Sequence, residues 1–503
     1  MSVSLPDSEE LQRLAERCGF ELSLDDINNF RKLMKPRIAH LQELETLPDY
    51  LPEVKYPRQS GHPPEPEDNL YNAWCRKVVV KGAPAGKLHG KRIALKDNIM
   101  LAQVPMMHGT WLMDGYVPEV DATVVTRILD AGGEIAGKAV TECLSHGGGA
   151  TSAHGEVVNP RKPGYATGGS SSGCAALVAA GEVDMAIGGD QGGSIRGPAS
   201  FCGVYGMKPT FGLVPYTGVM QYEPTLDHIG PMTGTVHDNA LLLDVIAGAD
   251  GIDMRQESRS ADDYLTTLDA GIEGLKIGVV EEGFGHAGGE SDVDATVRKA
   301  LDILTRLGAE LREISIPTHL QCGAIWGGIG PEAFAVGMVY AKGATMGLKG
   351  LYAPSLLAQL ADWPARADTL DPGVKVDLLL GTYLHANHRG RFYGKAQNLR
   401  RKVRHEYESA LTSCDLLVMP TLPRKAPPYP RADTAPEAEL GSAVPGSVNT
   451  WAADLTGHPA MSLPCGISED LPVGLMMVAK DYDEATIYRA AHAMEQSGDW
   501  RSF

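Results

Sequence analysis

Two loops rich in glycine and serine lie close together in the sequence and carry hydroxyl groups that could take part in chemistry. The first contains Ser170 and the second contains Ser194. A serine hydroxyl becomes an effective nucleophile when a base accepts its proton, and the resulting oxyanion needs preorganised N–H donors. Gln191, Gly192 and Gly193 precede Ser194 and can offer such donors, because glycine lets the backbone approach a substrate closely. The pattern therefore indicates acyl transfer by a serine nucleophile.

Two simpler interpretations compete with this one. Glycine and serine populate ordinary loops, and glycine-rich loops before helices can bind phosphate. Neither loop has the G-x-x-x-x-G-K-S/T spacing of a nucleotide-binding loop. Taken separately, each loop would be assigned to ordinary loop structure, so the catalytic interpretation depends on both loops and on a suitable base.

The base is predicted to be a lysine. The chain contains 15 histidines, but none stands in a motif of comparable specificity. Lys96 follows the apolar residues 93–95 and precedes a predicted turn at Asp97 and Asn98, so its side chain could point into a site at a strand end. A lysine accepts a proton only when it is neutral, which requires apolar surroundings. A single lysine in such a place is usually a surface residue, so this assignment depends on the two serine loops as well.

The elements that must position these residues follow an α/β pattern. From residue 86 onward, short apolar runs alternate with helical patterns, which favours an α/β fold with a mixed sheet. Strands are predicted at 91–99, 134–140, 183–189, 274–282 and 414–423. Helices are predicted at 122–133, 174–181 and 292–310. Residues 317–380 are rich in glycine and alanine with weak periodicity, and no firm element is predicted there.

The N-terminal part has a different character. Residues 1–46 predict three short amphipathic helices, the third of which begins at Pro36. Residues 47–68 are rich in proline and predict an extended connector. We therefore divide the chain into an N-terminal helical region with its connector, residues 1–85, and a catalytic domain, residues 86–503. The apolar helical stripes in the first region predict that it mediates dimerisation.

The composition limits the kinds of partner. A net charge of −18 argues against a nucleic-acid surface or an anionic membrane. The eight cysteines are scattered without a C-x-x-C pair, so no metal or cofactor is predicted. The N-terminus is polar and acidic, unlike a signal peptide. The sequence contains no run of about 18 apolar residues, which a membrane-spanning helix would need. We therefore expect a cytoplasmic protein that acts on small, uncharged substrates.

The stretch from Gly168 to Ala199 resembles the signature of the amidase signature family of serine hydrolases. The matching positions are GGSSSG (168–173), Asp190, Gly192, Ser194, Ile195, Arg196, Pro198 and Ala199. Further agreement extends from about residue 86 to the C-terminus, at ALKDNI (94–99), GMKPTFGLVP (206–215), TLDHIGPMTGTVHD (225–238), LLVMPTLP (416–423) and TWAADLTGHPAMSLPCG (450–466). The resemblance implies an α/β/α sandwich around a large mixed β-sheet.

The resemblance also implies a role for each matching residue. Ser194 matches the family nucleophile, Lys96 matches the general base, and Ser170 matches a bridging serine that follows a cis peptide bond after Gly169. The implied proton route runs from Ser194 through Ser170 to neutral Lys96.

The residues around these three match supporting positions of the family. The backbone of the oxyanion hole is matched by Gln191, Gly192 and Gly193. Asp190 and Arg196 match charged residues that brace the loops, and Ser171 matches an auxiliary hydrogen-bond donor. The chain departs from many members at Gln191, where threonine is common, and at Gly197, where a larger residue is common.

Two segments narrow the resemblance to one subgroup. LPEVKYPR (51–58) and EVDMAIGGDQGGSIR (182–196) are similar to bacterial amidases of nitrile degradation. That similarity implies a homodimer that hydrolyses aliphatic and aromatic primary amides to carboxylic acid and ammonia. The lipid amide hydrolases resemble the chain less, because it has no hydrophobic anchor.

Other functions stay open at this point. The first is the glutaminase subunit of a tRNA-dependent amidotransferase, although residues 327–347 lack the arginine that would hold a glutamine carboxylate. The second is a catalytically silent binding protein on the same fold. An esterase is also possible, because the same acyl-enzyme chemistry cleaves esters.

Overall fold

A computed structural model of the protein describes residues 2–146, 151–258, 263–343, 347–429 and 447–503. Its internal contacts divide the chain into two units, Met1–Glu53 and Val54–Phe503. This division falls earlier than the predicted boundary at residue 85. The physical reason is that residues 74–81 form a strand of the large sheet, so the chain after Glu53 folds with the larger unit.

An 11-stranded mixed sheet runs through the larger unit. Its strands are β1 (Trp74–Lys81), β2 (Arg92–Lys96), β3 (Glu134–Ala139), β4 (Met185–Asp190), β5 (Tyr205–Lys208), β6 (His228–Thr233), β7 (Lys276–Val280), β8 (Glu310–Ile314), β9 (Leu416–Pro420), β10 (Ala460–Ser468) and β11 (Leu471–Ala479). Their order across the sheet is β1-β3-β2-β4-β6-β5-β10-β11-β9-β7-β8. Strand β2 pairs in parallel with β3 and β4, β7 pairs in parallel with β8 and β9, and the other pairs are antiparallel. The predicted mixed sheet is confirmed.

Helices of the larger unit cover both faces of this sheet. They are α3 (Thr123–Asp130), α4 (Ser172–Ala179), α5 (Arg196–Cys202), α6 (Val236–Ile246), α7 (Ser291–Arg306), α8 (Cys322–Ala335), α9 (Pro354–Ala361), α10 (Pro372–His388), α11 (Arg391–Leu411), α12 (Trp451–Thr456) and α13 (Glu484–Gln496). Along β9, Leu416 and Val418 pack in one core cluster, whereas Leu417 and Met419 pack in another. Since successive side chains of a strand point to opposite faces, an apolar layer lies on each side. The fold is the expected α/β/α sandwich.

The described residues between 317 and 380 include several helices, α8, α9 and the start of α10 among them, where no firm element was predicted. Helix α8 contains several glycines and is followed by a π-helical turn at Val336–Tyr340. By length and composition alone, the stretch Pro317–Tyr340 is long and apolar enough to cross a membrane. Half of its most apolar segment is buried inside the protein. Ile325 and Ile329 pack in the core cluster that contains Leu417 of β9. Because it packs against the sheet, we assign α8 as a core helix.

The smaller unit contains two helices, α1 (Ser8–Arg17) and α2 (Leu24–Thr46). The prediction of a third helix beginning at Pro36 is wrong, because α2 continues through Pro36. A proline inside a helix removes one N–H donor, and here the surrounding helix of 23 residues with a capping box at Ser23 remains intact.

Candidate active site

Lys96 is the last residue of β2 and its side chain is fully buried. Its Nζ donates a hydrogen bond to the Ser170 hydroxyl at 2.6 Å and lies 3.4 Å from the Gly189 carbonyl oxygen. Burial lowers the pKa of Lys96 to about 8, although nearby acidic groups, including Asp190 and Glu142, oppose the shift. Near pH 8 and above, this amine is therefore able to accept a proton.

Ser170 begins the chain segment that leads into α4. The Gly169–Ser170 peptide bond is cis, as the family resemblance implies. The Ser170 side chain is fully buried, and its carbonyl oxygen accepts hydrogen bonds from the Glu142 N–H at 3.2 Å and from the Thr141 hydroxyl at 2.8 Å. These bonds tie the segment to the chain that follows β3 and hold the Ser170 hydroxyl against Lys96.

Ser194 lies in the loop between β4 and α5, and it is only partly buried. Its carbonyl oxygen accepts a hydrogen bond from the Ser171 N–H at 3.2 Å, which joins the two serine loops. The Ser171 hydroxyl donates to the Gly189 carbonyl oxygen and accepts from the Gly189 N–H, both at 3.1 Å. The structure thus brings the two loops together, with Ser194 more accessible than the buried Ser170 and Lys96.

A buried ionic cluster supports the Ser194 loop. The Arg196 guanidinium lies 3.0 Å from Asp190 and 2.8 Å from Asp454, and all three side chains are buried. Burial opposes ionisation of Asp190, but the Arg196 charge and hydrogen bonds outweigh it and hold the pKa of Asp190 well below its usual range. Burial and the Asp190 charge raise the pKa of Asp454 well above its usual range. The Arg196 guanidinium thus joins both acidic side chains beneath the Ser194 loop.

Asp190 also determines which backbone donors remain free. Its carboxylate accepts the Gly193 N–H at 2.6 Å and the Ile195 N–H at 3.0 Å. In this structure the Gly193 N–H is therefore already bonded to Asp190, whereas the sequence predicted it as an oxyanion donor. Among the described residues, the N–H groups of Gln191 and Gly192 have no acceptor and stay free for that role. Gly193 is needed for space instead, because its φ is +129° and a Cβ there would collide with the Thr450 side chain.

Three further side chains, Thr450, Trp326 and Tyr216, contact the same loop. The Thr450 hydroxyl donates to the Gly192 carbonyl oxygen at 2.6 Å, and the Trp326 indole N–H donates to the Gln191 carbonyl oxygen at 2.8 Å. The Gln191 amide in turn donates to the Tyr216 hydroxyl at 3.1 Å. Thr450 opens one of the segments that resemble the family, but no motif marks Trp326 or Tyr216.

A cavity of about 140 Å³ lies on the other side of Tyr222 from Trp326, which contacts this loop. Tyr216, Met220, Tyr222 and Phe334 are among the residues that line it, whereas Ser194 does not. Tyr222 stacks against Trp326 with a distance of 6.2 Å between ring centroids, so one aromatic ring separates the cavity from the loop. Within the described ranges, no group of three or more histidine, cysteine or acidic side chains is placed to hold a metal ion.

The family model described as Amidase matches residues 72–488. The chain belongs to the amidase signature family. The match covers most of the larger unit, including every strand of its sheet.

Relatives within the amidase signature family carry different names. The chain is 38% identical to an enantioselective amidase of Rhodococcus rhodochrous over 498 residues, which cover 97% of this chain and 95% of the relative. It is 36% identical to a glutamyl-tRNA(Gln) amidotransferase subunit of Methanosarcina acetivorans, over 93% of this chain and 96% of the relative. A crystal structure of the corresponding glutamyl-tRNA(Gln) amidotransferase subunit from Thermotoga maritima superposes with a TM-score of 0.72 and 31% identity, covering 86% of this chain and 88% of that one.

Proposed function

We propose that this amidase hydrolyses small primary carboxamides to carboxylic acid and ammonia through an acyl-enzyme on Ser194. The proposal rests above all on one observation, which is that Lys96 is fully buried with its Nζ 2.6 Å from the Ser170 hydroxyl. A buried lysine with a pKa lowered to about 8 is suited to act as a general base. Ser170 carries protons between Ser194 and this lysine.

Each step of the reaction has a residue that serves it. The Ser194 oxygen attacks the amide carbonyl carbon while its proton passes to Ser170 and the Ser170 proton passes to Lys96. The N–H groups of Gln191 and Gly192 bind the oxyanion that forms. The relay then returns a proton to the amide nitrogen, the C–N bond breaks and ammonia leaves. Water attacks the acyl-enzyme by the same route and releases the acid.

The cavity favours an uncharged acyl group. Arg255 lines it, but its guanidinium is held by Asp253 at 2.6 Å and lies over the Tyr216 ring, 4.8 Å from the centroid. An arginine that is already paired is poorly placed to bind the carboxylate of glutamine. Lys349 also lines the cavity, but it is exposed to solvent at the edge of the cavity. This supports aliphatic and aromatic amides, such as those formed by hydration of nitriles, over the glutaminase alternative.

Comparing benzamide, glutamine and an alkyl benzoate in one assay tests this function. We expect benzamide to be hydrolysed, and Ser194→Ala to abolish turnover without unfolding the protein. Trapping with an acylating inhibitor, followed by mass spectrometry, should place the label on Ser194. Ser200→Ala, which removes a serine of α5 outside the site, serves as the control. A label on Cys202, or turnover of glutamine alone, would contradict the proposal.

We also propose that the smaller unit mediates a homodimer. Leu33 and Leu44 lie on one face of α2 and are 66% and 61% exposed, which leaves an apolar helical surface open. Leu33→Glu with Leu44→Glu should convert the dimer to a monomer in light scattering. Lys35→Glu with Ala39→Glu, on the opposite face, is the control. An unchanged mass for the leucine variant would refute the proposed interface.

We propose a cytoplasmic location because the cysteines are free thiols. All eight are free, and six of them are buried. Free, buried cysteines without disulfides are typical of a reducing compartment. Fractionation of cells that express the protein, with a periplasmic marker as control, tests the location.

A further inference from the structure

Thr450 contacts the chain on both sides of Ser194. Its hydroxyl donates to the Gly192 carbonyl oxygen at 2.6 Å, and its own carbonyl oxygen accepts from the Arg196 guanidinium at 2.9 Å. Between these two contacts, a Cβ built on Gly193 would lie only 2.8 Å from the Thr450 Cβ. Thr450 is fully buried. One threonine therefore holds the loop that carries Ser194 both before and after that residue.

The loop needs such a hold because Gly192, one of the two candidate oxyanion donors, has no side chain to restrict its backbone angles. Its N–H and its carbonyl belong to successive peptide groups, so rotation within Gly192 turns one against the other. The Trp326 indole holds the first peptide group through the Gln191 carbonyl oxygen, and the Thr450 hydroxyl holds the second. With both peptide groups fixed, the direction of the Gly192 N–H is fixed as well.

The preceding residue, Asn449, keeps this threonine in place. Its side chain is fully buried and makes hydrogen bonds to four other segments. The Asn449 Nδ2 donates to the Gly283 and Pro420 carbonyl oxygens at 3.0 and 2.8 Å. The Asn449 Oδ1 accepts from the ring nitrogens of His319 and His286 at 2.9 and 2.7 Å. A side chain bonded in this way cannot shift freely, so the next residue contacts the loop from a fixed position.

We propose that Thr450 is a positioning residue that keeps the N–H groups of Gln191 and Gly192 directed at the oxyanion. In this role it acts through the backbone before Ser194 and not on the substrate itself. Preorganised donors stabilise the oxyanion of the transition state more than they stabilise the uncharged amide. Loss of the Thr450 hydroxyl should therefore affect the chemical step more than substrate binding. The inference rests on the proposed amidase function and adds a positioning residue to that site.

The test compares Thr450→Val with Thr450→Ser. Valine keeps the branched shape and removes the hydroxyl, whereas serine keeps the hydroxyl. With benzamide as substrate, we expect kcat to fall about tenfold in Thr450→Val, the usual effect of losing one buried hydrogen bond, with a smaller change in KM. Thr450→Ser should retain most of the wild-type kcat.

Thr210→Val is the matched control, because it removes another buried hydroxyl, which is bonded to Glu484 at 2.7 Å. This variant should leave kcat unchanged. Equal losses in the valine and serine variants of Thr450, or a fall of the same size in the control, would indicate a role in packing alone and would overturn the proposal.

A boronic acid separates this inference from the proposed function. Phenylboronic acid forms a tetrahedral adduct with a nucleophilic serine, and one boron-bound oxygen then takes the place of the oxyanion. Its dissociation constant, measured by calorimetry, should rise about tenfold in Thr450→Val. The dissociation constant of benzamide for Ser194→Ala should stay the same with and without Thr450→Val.

Equal effects of Thr450→Val on the boronic acid and on benzamide, or no effect on the boronic acid, would overturn the role of Thr450. Failure of the proposed function would instead appear in the wild-type protein, as absent turnover of every amide and no boronate adduct on Ser194.

Discussion

In the proposed reaction Lys96 must accept a proton although its side chain is fully buried. Its pKa of about 8, lowered by burial, means that the fraction of neutral amine rises as the pH increases through that value. We expect kcat/KM to rise with pH up to about pH 8 and then to level off. Lys96→Arg should lower kcat at least about 100-fold at every pH, because a guanidinium does not accept a proton in this range.

A second buried lysine provides the control for this prediction. Lys208 is also fully buried, and burial lowers its pKa to about 8, but its Nζ donates to the Pro209 carbonyl oxygen. Lys208→Arg should keep the rise in kcat/KM with pH. If that rise disappears in the Lys208 variant and persists in Lys96→Arg, the proton route is wrong.

The same pKa shift predicts how stability depends on pH. Between pH 8 and pH 10.5 the folded state holds Lys96 neutral, whereas the unfolded chain still binds a proton there. The free energy of unfolding therefore rises with pH in this window, by about 1.4 kcal/mol per pH unit for this group. Lys96→Met removes the effect, so the stability of the variant relative to wild type should fall by that amount per unit. Thermal unfolding midpoints at pH 7 and at pH 9.5 test this, and a constant difference would contradict it.

The sequence indicates some of these residues and not others, for a physical reason. Lys96, Ser170 and Ser194 belong to motifs whose residue types are dictated by the chemistry, and two of them, Lys96 and Ser170, lie within hydrogen-bond distance. Trp326 contacts Gln191 across 135 residues, and no local pattern reports a contact of that kind. The loss of the Gly193 N–H to Asp190 was equally hidden, because composition does not show where a carboxylate points.

At the scale of elements, α8 links the core to the site. Its Ile325 and Ile329 pack in the core cluster next to the sheet, and the Trp326 indole N–H donates a hydrogen bond to the Gln191 carbonyl oxygen. A helix fixed by its core contacts can hold a loop more rigidly than another loop can. The orientation of the oxyanion donors should therefore depend on the indole N–H.

Trp326→Phe tests this dependence. Phenylalanine keeps an aromatic ring but cannot donate to the Gln191 carbonyl oxygen, so kcat should fall about tenfold, with a smaller change in KM. Trp74→Phe, which removes an indole N–H bonded to Glu182 at 2.7 Å, is the matched control. A fall in kcat of the same size in both variants would mean that the effect is one of general stability.

Element prediction succeeded where periodicity was strong and failed where packing decided the outcome. The strand β2 and the helix α7 were predicted from apolar spacing alone. Helix α8 escaped prediction because its glycines weaken the helical pattern, while tertiary packing supplies the stability that propensity lacks. Packing does not explain why α2 continues through Pro36, because Ile27 is the one buried residue of that helix; its capping box and its length of 23 residues keep it intact.

At the scale of the whole molecule, the strand order has a consequence for stability. The last two strands, β10 and β11, lie between β5 and β9 in the middle of the sheet. A chain that ends at residue 457 would leave β5 and β9 as unpaired edges, which are sites of aggregation. We expect this truncated chain to be insoluble, as measured by sedimentation of cell extracts. Removal of residues 499–503 should leave the protein soluble, and a soluble chain ending at residue 457 would contradict the expectation.

The central position of these strands also means that part of the sheet stays incomplete during translation. Translation adds about 5–20 residues per second, so the edge of β5 waits on the order of tens of seconds for the codons of β10. During that interval the open edge of β5 can pair with other chains. A frameshift before the codons of β10 would therefore produce an insoluble polypeptide rather than a slower enzyme.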